Sequence, residues 1–583
     1  MGDAQQQSIT YAPPMMDTAQ HHGDLSPIVA ESTRSPPSPS TVNAKTNNVI
    51  TVSTTRFWLL SIGVYIGLFL AMMDASIVSS SLHTIASDFN VFVSVNWVAL
   101  AYTLAECSCS IVFARVSDVI GRRNAFLIAM TLFFAFSLAC GFAHSLHQLV
   151  AFRTIQGIGG AGLYSLSTVL LPEVCPDHLL EYMAGLAGVV IIAACIVGPI
   201  VGGLLTQYAS WRWIFWINGP ICVVATVFVL VFWPKQEQIM YVRRRSWREF
   251  DYLGSTLLIA ATILVVFSFQ NVGVSTTKDT WGKAVFIAPV VIGFVSWAAL
   301  FSWEYLIEFR GVGNSIMPTF PLSLFKNRFY AAGIFTTLFL GFPVFVLVFS
   351  VPLRCQLVSG KSPLTAALML LPMLGATAMG CVLAAAFNAK RNFLFESMLA
   401  GAVMSLIGCS LLTTISGSED DHKMMGYLVF AGIGSGLTIA SATGVTGIEI
   451  APRNYAPAQG ILAQARVLGG SFGISTSSVF LHNEILRLVP GPVSPELLST
   501  LSDAQSKLPP QLQAVVKLGT AQSFRNSMIV CASVAGVAVV LSFVGFQLEH
   551  KDSKQQRIDM IRADAQAVRD DEKRGSSVRV SEA

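Results

Sequence analysis

Apolar residues fall into fourteen long runs, at roughly 57–82, 93–112, 124–144, 148–172, 184–207, 212–233, 252–271, 284–304, 329–351, 364–387, 393–415, 425–446, 457–481 and 526–547. Each is close to the about 20 residues that cross a bilayer as a helix. The pattern predicts an all-α membrane protein with fourteen transmembrane helices. An even number of crossings puts both termini on one side.

The run at 185–207 carries Gly198-Pro199 and Gly202-Gly203 near its end. Proline removes a backbone donor and glycine weakens a soluble helix. In a membrane, Gly198 and Gly202 share a face on which a neighbouring helix can approach closely. The neighbouring runs contain an internal echo. Gly157-Ile158-Gly159-Gly160 in span 4 matches Gly432-Ile433-Gly434 in span 12, and the glycines of span 5 match Gly469, Gly470 and Gly473 in span 13. Two related halves of six spans, with spans 7 and 8 inserted between them, would produce this echo.

The expected organisation is therefore a polar N-tail (1–55), a six-helix bundle (56–234), a basic loop with two inserted helices (235–327), a second bundle (328–548) and a charged C-tail (549–583). The second bundle carries a long external loop at 482–525, with a short interfacial helix expected at Leu508–Leu518.

Charge assigns the sides. Only 12% of residues are charged, against about 25% in soluble domains. Basic residues gather in loops of one parity, among them Arg115, Arg122, Arg123, Lys235, Arg243, Arg244, Arg245, Lys390 and Arg453. The positive-inside rule makes those loops, and both termini, cytosolic. The ten cysteines show no paired metal or redox spacing and read as small packing residues. No phosphate-binding loop is present, which leaves an ion gradient as the energy source.

One loop carries more than basic residues. Asp118 and Arg122 lie four apart in Ala114-Arg115-Val116-Ser117-Asp118-Val119-Ile120-Gly121-Arg122-Arg123, the spacing of a helical pair. This loop resembles the cytosolic gating loop of the major facilitator superfamily. Arg153-Thr154-Ile155-Gln156-Gly157, with Gly160, resembles its span-4 motif. Gly198-Pro199-Ile200-Val201-Gly202-Gly203 resembles the span-5 motif of its antiporters. Met73-Asp74-Ala75-Ser76-Ile77-Val78 and Trp211–Asn218 look like motifs of its fourteen-span drug:proton antiporters, especially fungal ones. Three departures are Ala114 in place of glycine, His83 in place of proline, and the lack of a basic residue in Pro172–Glu181.

The resemblance implies the major facilitator fold in a 6+2+6 arrangement. It implies a monomer that exports hydrophobic drugs, toxins or secondary metabolites in exchange for protons, and not an enzyme. The alternatives are a siderophore or basic amino-acid carrier, or a sensor that no longer transports. The expected partners are the substrate, protons and lipid, with no nucleic acid, no metal and no cofactor beyond the proton gradient. The plasma membrane is the expected location, with the vacuolar membrane as alternative.

Charges inside spans mark function, because each is costly unless paired or hydrated. Asp74 and Arg153 can share one depth near the outer side, and the resemblance implies a proton-coupling role for the arginine. Glu106 in span 2 is a further candidate, for a proton or a cationic substrate. Glu173, at the end of span 4, reads as structural. Candidate cavity residues are Arg466 and Gln464, with Phe342 and Phe345 from an aromatic stripe in span 9.

Overall fold

A computed structural model describes residues 53–78, 81–89, 95, 97–176, 179–234, 246–274, 282–311, 316–388, 391–451, 454–488, 510–546, 555–560, 562–564 and 566. The described residues pack as one unit. The polar N-tail up to residue 52, most of the C-tail, and loop residues Lys235, Arg243, Arg244, Arg245, Lys390, Arg453 and Lys507 lie outside the described residues.

The described chain is helical apart from one isolated bridge between Phe250 and Met317. The first half contains α1 (Thr54–Ile77), α2 (Trp97–Ile120), α3 (Arg122–Gly141), α4 (Leu146–Val174), α5 (Leu180–Tyr208) and α6 (Trp213–Phe232, interrupted at Ile217). Then come α7 (Tyr252–Val274) and α8 (Ala284–Arg310). The second half contains α9 (Arg328–Leu357), α10 (Leu371–Asn388), α11 (Leu394–Leu412), α12 (Asp421–Glu449), α13 (Tyr455–Leu488) and α14 (Pro510–Ser542).

Among the described residues, twelve helices are long and apolar enough to cross a membrane. The sequence reading of fourteen also counts α4 and α13. These are 29 and 34 residues long, but they hold Arg153, Gln156, Gln459, Gln464 and Arg466 among glycines and serines. The two helices richest in candidate chemistry are thus the two that apolarity alone does not mark. The segment expected as a separate interfacial helix at Leu508–Leu518 is, from Pro510 onward, the start of α14. Its Gln511, Gln513 and Lys517 read as loop by hydropathy, yet polar residues are tolerated at the interfacial end of a helix. The loop between α13 and α14 is correspondingly shorter than 482–525.

Glycines set the packing inside each half, and the two halves do it alike. A Cβ at Gly157 or Gly160 would strike Tyr102 of α2, and one at Gly159 or Gly162 would strike Ala129 of α3. In the second half, Gly432 and Gly436 press on α10 at Met373 and Thr377, while Gly434 presses on α11 at Gly401 and Ser405. The fifth helices also correspond. Gly198 of α5 meets α1 at Met73 and Ile77, and Gly469 and Gly473 of α13 meet α9 at Leu338 and Phe342. The sequence echo is therefore a repeat of backbone contacts: the fourth helix lies against the second and third, and the fifth against the first.

The halves join along two antiparallel seams. Gly185 and Gly188 of α5 pack on Cys381 of α10, and Gly460 of α13 packs on Ile111 of α2. The inserted α7 lies against α13, with Phe269 and Phe472 edge-on at 4.5 Å. It also meets α2, where Phe267 faces Trp97 at 5.3 Å. Helix α8 packs on α7 and is only 11% buried over its most apolar window, as a lipid-facing helix would be.

Candidate functional site

Three features occupy the first half and the seam: a buried ion pair, a charged loop and a cavity. The pair comes from α1 and α4. Asp74 and Arg153 are both fully buried and bond directly to each other. Their meeting follows from the glycines. Gly157 and Gly160 let α4 sink against α2, and Gly198 holds α5 on the α1 backbone at Met73 and Ile77, the turns on either side of Asp74.

Both charges have further partners. Arg153 donates from Nε to the Val98 carbonyl at 3.1 Å and from Nη1 to Gln156 Oε1 at 3.0 Å. Its guanidinium lies 4.3 Å from the centre of the Tyr102 ring, within cation–π range. Tyr102 is held in turn by donating its hydroxyl to the Ala71 carbonyl at 3.0 Å. The second oxygen of Asp74 accepts from Asn218 Nδ2 at 2.9 Å. Asn218 also donates to Ser137 Oγ at 3.0 Å, and Ser137 donates to the Phe215 carbonyl at 2.8 Å. Burying two ions costs several kcal/mol each, which only good geometry and additional hydrogen bonds offset. The α1–α4 contact thus depends on both groups being charged.

Glu106 lies one turn beyond Tyr102 on α2. Its Oε1 is buried without a hydrogen-bond partner among the described residues.

The loop between α2 and α3 closes as a latch. Gly121 takes φ 91°, a left-handed value that favours glycine. This turn brings Arg122 back to Asp118, with Nη1 to Oδ1 at 2.6 Å. Arg122 also forms a two-pronged pair with Glu173 at the end of α4, at 2.9 and 3.1 Å. Glu173, read from the sequence as structural, is the partner that ties the loop to α4. Arg123 is exposed. Arg115 leaves the loop and donates to the Pro318 carbonyl at 2.5 Å. Segment 316–320 follows α8, so the inserted pair of helices is fastened to the latch.

Two adjoining cavities lie between the halves. The larger, about 720 Å³ including its open mouth, is lined by Tyr65, Ser167, Met183, Ala384, Asn388 and Tyr455, among others. The smaller, about 360 Å³, is lined by Tyr164, Ile191, Ile439, Gln459, Leu462 and Arg466, among others. Both share Thr168, Ala187 and Thr443. Arg466 thus faces the cavity as expected, but three companions do not. Gln464 is turned the other way on α13, donating to Thr262 Oγ1 of α7. Phe345 covers Gly470, and Phe342 packs in the α9 core beside Val346. Phe345 is packing between α9 and α13, its ring filling the groove that Gly470 leaves.

Gly202 is buried, whereas a Cβ on Gly203 would meet nothing within 4 Å. Of the four residues in the α5 motif, Gly198 makes the close contact, and Pro199 follows it inside the helix.

Sequence reasoning placed Asp74 and Arg153 at one depth and read Asp118 with Arg122 as a pair; it named Gln156 only as part of the span-4 motif. It missed Tyr102, Ser137 and Asn218 as members of the network. Asn218 had a visible signal, an amide entering an apolar run at the close of the Trp211–Asn218 motif. It also missed a second buried pair. Arg354 of α9 bonds Asp421 of α12 at 2.9 Å, with Lys361 joining at 3.0 Å.

Comparisons with known proteins agree with this architecture. A family model described as Major Facilitator Superfamily matches residues 64–474. The MFS-type transporter FPY5 of Fusarium mangiferae is 28% identical over 521 residues, 86% of each chain. The efflux pump FUS6 of Gibberella fujikuroi is 28% identical and covers 75% of this chain and 77% of its own. The acurin A biosynthesis cluster MFS-type transporter of Aspergillus aculeatus is 30% identical over 66% of this chain and 68% of its own. Among solved structures, the proton:xylose symporter XylE superposes with a TM-score of 0.54 at 15% identity, covering 87% of this chain and 99% of XylE.

Proposed function

The chain belongs to the major facilitator superfamily, and we propose that it is a proton-coupled exporter of hydrophobic small molecules. In this reading α4 and α13 cross the membrane with the twelve apolar helices, giving fourteen spans in a 6+2+6 arrangement. Both termini are cytosolic, in keeping with the parity of the basic loops. The protein works as a monomer in the plasma membrane, without a cofactor beyond the proton gradient. Relatives named as efflux pumps and as a transporter of a biosynthesis cluster support export of secondary metabolites or toxins.

The observation that carries the coupling reading is the Asp74–Arg153 pair. Both groups are fully buried and belong to different helices. A proton reaching Asp74 removes its charge, frees the guanidinium and weakens the contact between α1 and α4. Substrate arrival at the cavity and proton arrival at Asp74 then favour opposite states of one bundle, which is the requirement for exchange. The Asp118–Arg122–Glu173 latch holds one end shut until the helices it ties begin to move. Gly198 keeps the α1 backbone in register with α5, so that movement at Asp74 is passed to the seam.

The test is efflux from cells expressing the protein, using a panel of labelled hydrophobic compounds with and without a proton uncoupler. Export that stops with the uncoupler is the expected result. Export that continues unchanged would overturn the coupling, and net accumulation would reverse the direction.

A further inference from the structure

The walls of the two adjoining cavities are apolar or neutral, with one exception. Arg466 is the sole charged side chain among the residues that line them. It projects from α13 towards α4, where its Nη1 donates to the Tyr164 hydroxyl at 3.4 Å. Its Nε is buried without a hydrogen-bond partner among the described residues. Among the described residues no carboxylate lies within 4 Å ion-pair reach of it, in contrast to Arg122, Arg153 and Arg354. A guanidinium facing a cavity without a counter-charge is costly to keep. The backbone around it leaves little room to withdraw, since the Arg466 carbonyl group lies against Gly341 of α9.

From this we infer that the cavity takes amphipathic organic anions, with Arg466 binding the acidic group of the substrate. The inference deepens the transporter reading and rests on it in treating the cavity as the substrate site. Arginine presents a planar fork that matches a carboxylate with two parallel hydrogen bonds. Here Nε and one Nη would supply that fork, and the Tyr164 hydroxyl, reaching in from α4, stands beside it to take a remaining polar group. The rest of the substrate meets Ile191, Ile439, Leu462 and the small faces of Ala187 and Gly188. A flat or ring-bearing apolar body with one carboxylate, enolate or sulfonate fits these walls. A cation does not, because it would meet Arg466 without an acidic residue to offset it. Glu106, a candidate from sequence for a proton or a cationic substrate, lines neither cavity.

The test is equilibrium binding to the purified full-length protein in detergent, read by energy transfer from tryptophan to pyrene. Three probes share one apolar body: pyrenebutanoate, pyrenebutanamide and pyrenebutylammonium. The expected ranking is the carboxylate about 10-fold tighter than the amide, a difference of roughly 1.4 kcal/mol, with the ammonium weakest. Arg466→Gln should bring the carboxylate and the amide to equal affinity. Arg466→Lys should retain part of the preference. Equal binding of carboxylate and amide by the unaltered protein would overturn the inference, as would tighter binding of the ammonium or an unchanged preference in Arg466→Gln. Should Arg466→Gln fail to fold, the three-probe ranking of the unaltered protein decides alone. Binding needs no flux, so a preference for the anion without export contradicts only the exporter reading.

Discussion

Arg153 and Asp74 are 79 positions apart in the chain and bond to each other where no solvent reaches either side chain. The pair is reached through glycine contacts that bring α1, α2, α4 and α5 together. The groups that hydrogen-bond to the pair are neutral, so each charge relies directly on the other.

Removing one partner should therefore cost more than removing both. Asp74→Asn strands a buried guanidinium and should lower stability by about 3–5 kcal/mol. Asp74→Asn combined with Arg153→Gln should recover a substantial part of that loss. Thermal unfolding of the purified variants in one detergent checks the ranking. A double variant no more stable than Asp74→Asn would show that the pair is not a unit.

Two glycines of α5 should respond oppositely to the same change. A methyl at Gly198 would strike Ser76 and the α1 backbone, whereas one at Gly203 would meet nothing within 4 Å. Gly198→Ala should be destabilising by about 1–3 kcal/mol through overpacking and should slow transport. Gly203→Ala should leave transport intact and be neutral or slightly stabilising, since alanine favours a helix by about 1 kcal/mol. Transport rate at equal expression separates the two, and equal effects would contradict the assigned contact.

The latch predicts a residue that the motif alone did not. Glu173→Gln removes the charge of the carboxylate that grips Arg122 with two bonds, and should impair transport as severely as Asp118→Asn. Arg123→Gln, at an exposed position, should change the rate less than twofold. Rates in reconstituted vesicles test this ordering, and a normal Glu173→Gln rate would remove it from the latch.

A second stability prediction concerns Arg354 and Asp421. Like the first pair, they join the first and fourth helices of a half, but with the charges exchanged between those helices. Asp421→Asn leaves Arg354 buried and only 1% exposed, and should cost about 3–5 kcal/mol. Lys361, the other partner of Asp421, is partly exposed and can regain water. Lys361→Met should therefore cost under about 1 kcal/mol. Unfolding temperatures in the same detergent distinguish the two.

The legibility of the sequence varied with the kind of interaction. Helix positions followed from runs of apolar residues, because lipid excludes other backbone arrangements. The repeat was visible in the glycines because close backbone approach tolerates few other residues. Asp118 and Arg122 were legible as a pair because they are local. Glu173, Asn218 and Ser137 were not, since what joins them to their partners is tertiary packing across 51 to 144 positions. The orientation of Gln464 and of the phenylalanines on α9 was equally hidden. One helical face can meet a cavity or another helix, and composition does not tell them apart. In this chain α13 turns Arg466 to the cavity and Gln464 to α7.

The most direct test of proton coupling at Asp74 is transport into inside-out vesicles with an imposed pH gradient, acid inside. The labelled compound is one shown to be exported from cells. The unaltered protein should accumulate it, and a protonophore should abolish accumulation. Asp74→Asn should lose gradient-driven accumulation yet still exchange labelled for unlabelled compound at equilibrium, without dependence on pH. Accumulation by Asp74→Asn equal to that of the unaltered protein would contradict the account.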